Sequence, residues 1–169
     1  LNKVSAQLDG VERNSVNSRH STYRSLKLDE VENLNAVWLH ELFFANCFDP
    51  HSDLTMDSLA YMRLQRDWGT FDEWQQDFMA CALAAGEGWA VCGYHVFLQR
   101  YINTFISGHS DSVMLGVFPI IVMDMHAHAN YRDYLNDRKS YLVAMMRQFN
   151  FEVIEERFKK SEALAEAMK

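Results

Sequence analysis

Residues 119–131, PIIVMDMHAHANY, constrain this chain more than any other stretch. The apolar, β-branched run at 120–123 reads as a buried strand, and it ends on a carboxylate, Asp124. Four positions later His128 falls in a segment that reads as the start of a helix. An oxygen donor and a nitrogen donor therefore meet at the mouth of a strand-to-helix turn. That pairing suits iron, manganese or zinc better than Cu(I). The histidines at 126 and 128 leave one alternative open. If 125–129 were extended, both imidazoles would face one side and chelate zinc with Asp124, whereas a helical turn makes them diverge. The helical form is the preferred reading.

The remaining elements follow from periodicity. Leu1, Val4 and Leu8 have helical spacing with Gly10 as a stop, and a polar linker covers 14–22. A long helix is expected from residue 26 or 28 to about 47, its broad apolar face carrying Val31, Leu34, Val37, Trp38, Leu42 and Phe44, with Asp49-Pro50 ending it. His40 sits on that surface; taken by itself it reads as a core histidine bonded to a backbone carbonyl. Asp53 is expected to cap a helix reaching about Arg66, and Thr70 another from 71 to about 85 that packs through Phe71, Trp74, Phe78, Cys81 and Ala85. Gly86-Glu87-Gly88 breaks that helix. Segments 89–100, 101–106 and 118–123 then read as three antiparallel strands. Short helices at 129–135 and 140–148 follow, and an amphipathic one at 151–168 points Val153, Ile154, Phe158 and Leu164 inward. The expected fold is α+β: an N-terminal helical segment, then helices around a small three-stranded antiparallel sheet.

Composition removes several function classes. At 169 residues the chain can bury a real core, and the net charge of -7 argues against a general nucleic-acid surface. Its apolar runs fall short of a membrane span. Cys47, Cys81 and Cys92 form no C-x-x-C and sit among apolar neighbours, which implies buried thiols in a reducing compartment. There is no P-loop, G-x-G-x-x-G, G-x-S-x-G or H-E-x-x-H.

Asp124, His128, Ala129 and Tyr131, then Asp133-Tyr134, Asn136, Arg138 and Tyr141, resemble in order the C-terminal signature of the iron/manganese superoxide dismutase family. Trp38-Leu39-His40 with Phe43-Phe44 is similar to that family's second ligand-bearing helix, and Thr70-Phe71, Phe78 and Gly86-Glu87-Gly88-Trp89 to its middle helix and first strand. The resemblance spans about 34–157. It implies a helical hairpin portion at 1–50, a C-terminal α/β domain at 51–169, and an iron or manganese ion, with zinc a weaker fit. It also implies that His40, Asp124 and His128 are three of four metal ligands. The fourth has no match: residues 1–17 contain no histidine, so that ligand is expected upstream of Leu1 or missing, and His20 lies in a polar loop. His109 is the expected neighbour of metal-bound solvent, and Tyr131 matches the interface tyrosine.

Three departures stand against the pattern. His126 replaces a tryptophan, Ala127 replaces the glutamate that reaches a partner subunit's ligand, and Ala36 stands where one branch carries its relay glutamine. The resemblance implies dismutation of superoxide by a protein that forms oligomers. The departures keep open a catalytically degenerate structural subunit of a large assembly, such as a virion or a mitochondrial ribosome, and a zinc-stabilised domain without redox function. The expected setting is accordingly soluble: cytoplasm, an organelle matrix or such an assembly, with no membrane or direct nucleic-acid partner.

Overall fold

The strand β1 (Gly88–His95) is apolar along nearly its whole length, GWAVCGYH, with every residue but the last buried. An antiparallel strand with no polar face must be covered on both sides, and this one takes the centre of the sheet. Its neighbours are β2 (Arg100–Ser107) and β3 (Val117–Asp124), in the order β2-β1-β3, both antiparallel to it. The pairing with β2 runs without interruption from Gly88 opposite Ser107 to His95 opposite Arg100. The pairing with β3 sets Trp89 opposite Asp124 and shifts register between Cys92 and Gly93. Gly88 is obligatory for steric reasons: a Cβ there would stand 2.1 Å from the Ile106 carbonyl oxygen.

Among the described residues, seven helices surround the sheet: α1 (Asn2–Gly10), α2 (Thr22–Asn46), α3 (Leu59–Trp68), α4 (Phe71–Ala84), α5 (Ala127–Tyr134), α6 (Arg138–Met146) and α7 (Phe151–Ala167). These elements come from a computed structural model that describes residues 1–47 and 52–168. The architecture is α+β, as the periodicities predict. Trp74 and Phe78 of α4, Leu142 of α6, Ile154 and Phe158 of α7 and the 120–123 run of β3 form one continuous core. Among the described residues, no helix is long and apolar enough to cross a membrane.

Several boundaries differ from expectation for local reasons. Helix α2 begins at Thr22, earlier than residue 26, because the Ser21 hydroxyl accepts from the Arg24 N–H and caps it. Ser58, not Asp53, caps α3, accepting from Tyr61 N at 3.1 Å, while Glu155 of α7 accepts from Leu59 N and Ala60 N. The strand expected at 89–100 stops at His95, because Val96–Gln99 turn back and Gln99 takes φ 53°. The stop signal at Asp49-Pro50 lies outside the described residues.

The buried face of α2 also differs. Leu39, Leu42, Phe43 and Asn46 form its covered stripe where the helix packs on β3. Val31, Leu34, Val37, Trp38 and Phe44 are all more than 40% exposed. Apolar spacing located the helix, but which of its apolar residues meet the sheet is set by its angle of approach. In α7, Ile154 and Phe158 are buried with Arg157 and Ser161, whereas Val153 and Leu164 are only half-buried.

Candidate metal centre

Asp124 closes β3 and is 1% exposed. Its carbonyl oxygen accepts from the buried Tyr141 hydroxyl at 2.8 Å, and the backbone then turns sharply. His126 stays extended (φ -68°, ψ 153°) as the N-cap of α5, which leaves Ala127 N to donate to Glu87 at 2.8 Å. The carboxylate of Asp124 is divided by this turn. Oδ1 accepts from the backbone N of His126 at 2.9 Å and lies 2.8 Å from that residue's Nδ1. Oδ2 faces His128 Nε2 at 3.0 Å and His40 Nε2 at 3.7 Å.

His40 reaches the same point from α2. Its Nδ1 lies 2.7 Å from the Ala36 carbonyl oxygen, which can only accept, so Nδ1 carries a proton and Nε2 is the ring nitrogen turned toward Asp124. The ring meets Trp89 edge-on, centroids 4.7 Å apart, and stacks on His128 at 5.7 Å. His40, Asp124 and His128 together offer one ligand atom each, all within 4.8 Å of one another.

This donor set fits a first-row metal ion. Bonds of about 2.0–2.2 Å at angles between a right angle and trigonal place neighbouring ligand atoms roughly 3.0–3.7 Å apart. Oδ2 already stands 3.0 and 3.7 Å from the two imidazole nitrogens. Borderline nitrogen with hard oxygen suits iron, manganese or zinc. The carbonyl bond at His40 is the kind of outer contact that orients a ligating imidazole.

His109, in the turn after β2, accepts the indole N–H of Trp89 at its Nδ1, 2.9 Å away. Burial, and after it the neighbouring His126 imidazole, holds His109 below its ordinary pKa. The ring is therefore neutral near pH 7 with its proton on Nε2. Its centroid lies 5.7 Å from that of His40. Ser110 beside it donates to Glu32 of α2 at 2.5 Å, tying this turn to the helix that carries His40. Tyr131 is 56% exposed on α5. His20 is exposed in the loop before α2 and is not part of the cluster.

His126 and His128 do not diverge. Helix α5 starts only at Ala127, so His126 keeps its extended backbone, and the two rings lie nearly parallel, 7° apart with centroids at 5.2 Å. Both reach Asp124, one on each oxygen. The sequence offered His126 only as a zinc ligand beside His128 in an extended turn, not as a partner that holds Asp124, and it gave Trp89, Tyr141 and Glu87 no role at this site. For His126 a signal existed, since an Asp side chain commonly accepts the backbone N–H two residues on.

Comparison with known proteins matches residues 57–157 to the C-terminal domain of iron/manganese superoxide dismutases. Superoxide dismutase [Fe] of Aquifex aeolicus is 33% identical over 158 residues, 94% of this chain and 73% of that protein. The iron enzyme of Cupriavidus metallidurans is 29% identical over 160 residues, covering 94% and 78%. Superoxide dismutase [Mn] 1 of Haloferax mediterranei is 34% identical over 106 residues, 63% of this chain and 72% of that protein.

Proposed function

Since this chain belongs to the iron/manganese superoxide dismutase family, we propose that it binds one iron or manganese ion through His40, Asp124 and His128 and converts superoxide to oxygen and hydrogen peroxide. The observation that carries this reading is the convergence of three ligand atoms, from α2, the end of β3 and the first turn of α5, within 4.8 Å. When bound, the ion supplies one-electron oxidation and reduction, so that two superoxide ions and two protons give one oxygen and one hydrogen peroxide. Zinc fills such a donor set but has no accessible second oxidation state.

The residues of the chain supply charge, orientation and protons. Asp124 contributes the negative charge among the three ligands, and its burial keeps that charge strong. The Ala36 carbonyl fixes the His40 tautomer so that Nε2 is free to ligate. His109, with Nδ1 engaged by Trp89, presents its Nε2 proton as the donor for an anion arriving at the centre. Tyr131, exposed on α5, is assigned to contact with a partner in an oligomer.

Metal analysis and a dismutase assay after loading with iron or manganese test this reading. The expected result is near-stoichiometric metal and activity in the unaltered chain, both lost in His128→Ala. A chain that takes up neither metal and keeps its fold overturns it.

A further inference from the structure

We infer that His126 is a positioning residue for this centre: its ring Nδ1–H fixes one oxygen of Asp124 and thereby aims the other at His40 and His128. The inference rests on reading those three residues as the ligands. Oδ1 of Asp124 has two donors from a single residue, the His126 backbone N at 2.9 Å and the ring Nδ1 at 2.8 Å. An ionised carboxylate only accepts, so the ring nitrogen must carry the proton. Any residue at 126 except proline would supply the backbone bond; only the side chain distinguishes histidine.

The imidazole is itself held on three sides. It lies parallel to His128, meets Trp89 edge-on at 5.4 Å, and tilts against His109 at 4.7 Å, with its side chain 12% exposed. A carboxylate has one free torsion beyond its Cβ, and two bonds to Oδ1 from a fixed ring and a fixed backbone remove it. Oδ2 is then left 3.0 Å from His128 Nε2 and 3.7 Å from His40 Nε2. With Oδ1 saturated, Asp124 is committed to bind through Oδ2 alone. His126 has spent its Nδ1 on this bond and stands outside the group whose ligand atoms gather within 4.8 Å. It serves the centre through Asp124.

The test uses Co(II) alone as the probe, read by competition titration and by its visible d–d absorption, in the unaltered chain, His126→Phe and His126→Asn. Phenylalanine keeps a flat ring without a donor. Asparagine places an amide N–H at the same distance along the side chain as Nδ1. Losing an outer hydrogen bond of this kind typically weakens metal binding by about 10–100-fold, so His126→Phe is expected to lose at least about tenfold and His126→Asn to recover to within about threefold of the unaltered chain. The Co(II) absorption of His126→Phe is expected to shift, because a carboxylate whose Oδ1 keeps only the backbone N–H can swing that oxygen toward the ion, and that of His126→Asn to match the unaltered protein. Melting of the metal-free variants is followed in parallel. Phenylalanine binding as tightly as histidine, or asparagine binding as weakly as phenylalanine, overturns the inference while leaving the ligand assignment intact. An unaltered chain that binds no Co(II) removes the ligand assignment and this inference together.

Discussion

Individual side chains at this centre are held by partners that accept or donate in only one sense, and that is why their protonation can be read from geometry. Trp89 is the clearest case, since an indole N–H only donates and so fixes the His109 tautomer. Trp89→Phe should leave the ring stack in place but release that tautomer. Dismutase activity is expected to fall by about tenfold, the lower end for losing a hydrogen bond that orients a side chain at a metal centre, while metal content is unchanged; equal activity in the two proteins would exclude a role for this bond in presenting His109 as the donor. A second residue-scale expectation concerns Arg157, buried on α7, whose guanidinium donates to Asn46 Oδ1, to the Ile120 carbonyl at 2.8 Å and to the Leu42 carbonyl at 3.2 Å. Arg157→Ala removes the donor from all three, and a buried acceptor left unpaired costs about 1–3 kcal/mol before relaxation. A loss near 3 kcal/mol is expected in urea titration, and a smaller one for Arg157→Lys, which keeps a donor. Neither role was legible in the sequence. Arg157 stands among the charged residues of an amphipathic stretch, and only the packing of α7 on β3 turns it inward.

At the level of elements, the caps were partly legible. Thr70 reads as the start of α4 and its hydroxyl accepts from Glu73 N at 3.1 Å, with Asp72 and Glu73 in the first turn. Helix α3 was misplaced because part of its N-terminus is satisfied from a distance. Glu155 of α7 accepts from Leu59 N at 2.9 Å and Ala60 N at 2.8 Å, a contact no local rule reveals. Ser58→Ala is therefore expected to cost only about 1 kcal/mol, the usual cap value. Glu155→Ala should cost more, about 2 kcal/mol, because it removes two bonds to a charged acceptor. Thermal or urea unfolding of the two variants would check the ranking, and a larger loss for Ser58→Ala would contradict it. Strand positions were easier to find than their ends. The run at 120–123 is bounded by a real turn signal, whereas the end of β1 depends on Gln99 adopting a left-handed backbone.

Across the whole molecule, long-range ion pairs set part of the pH response. Arg63 on α3 bonds both oxygens of Glu162 on α7, at 2.7 and 3.0 Å, and Tyr101 of β2 donates to the same carboxylate at 2.9 Å. The Arg63 bond chiefly, with Tyr101 after burial's opposing effect, holds the Glu162 carboxyl below its ordinary range. The unfolded chain then binds the proton more readily, so this contribution is present above about pH 4.3 and is lost as pH falls through the folded value. Glu162 is partly exposed, and screening limits the effect to at most about 1 kcal/mol. Melting temperature should drop on acidification from pH 6 to 3 by more in the unaltered chain than in Glu162→Gln; parallel curves would contradict this. The sequence by itself determined the local pieces: a strand ending on Asp124, a helix opening near His128, the Thr70 cap and the count of three strands. Each depends on neighbours within a turn or two, where spacing and turn chemistry act directly. Only the tertiary structure decided that His40 faces Asp124 and that Arg157 is buried, because such contacts join residues whose distance is fixed by how helices cross a sheet.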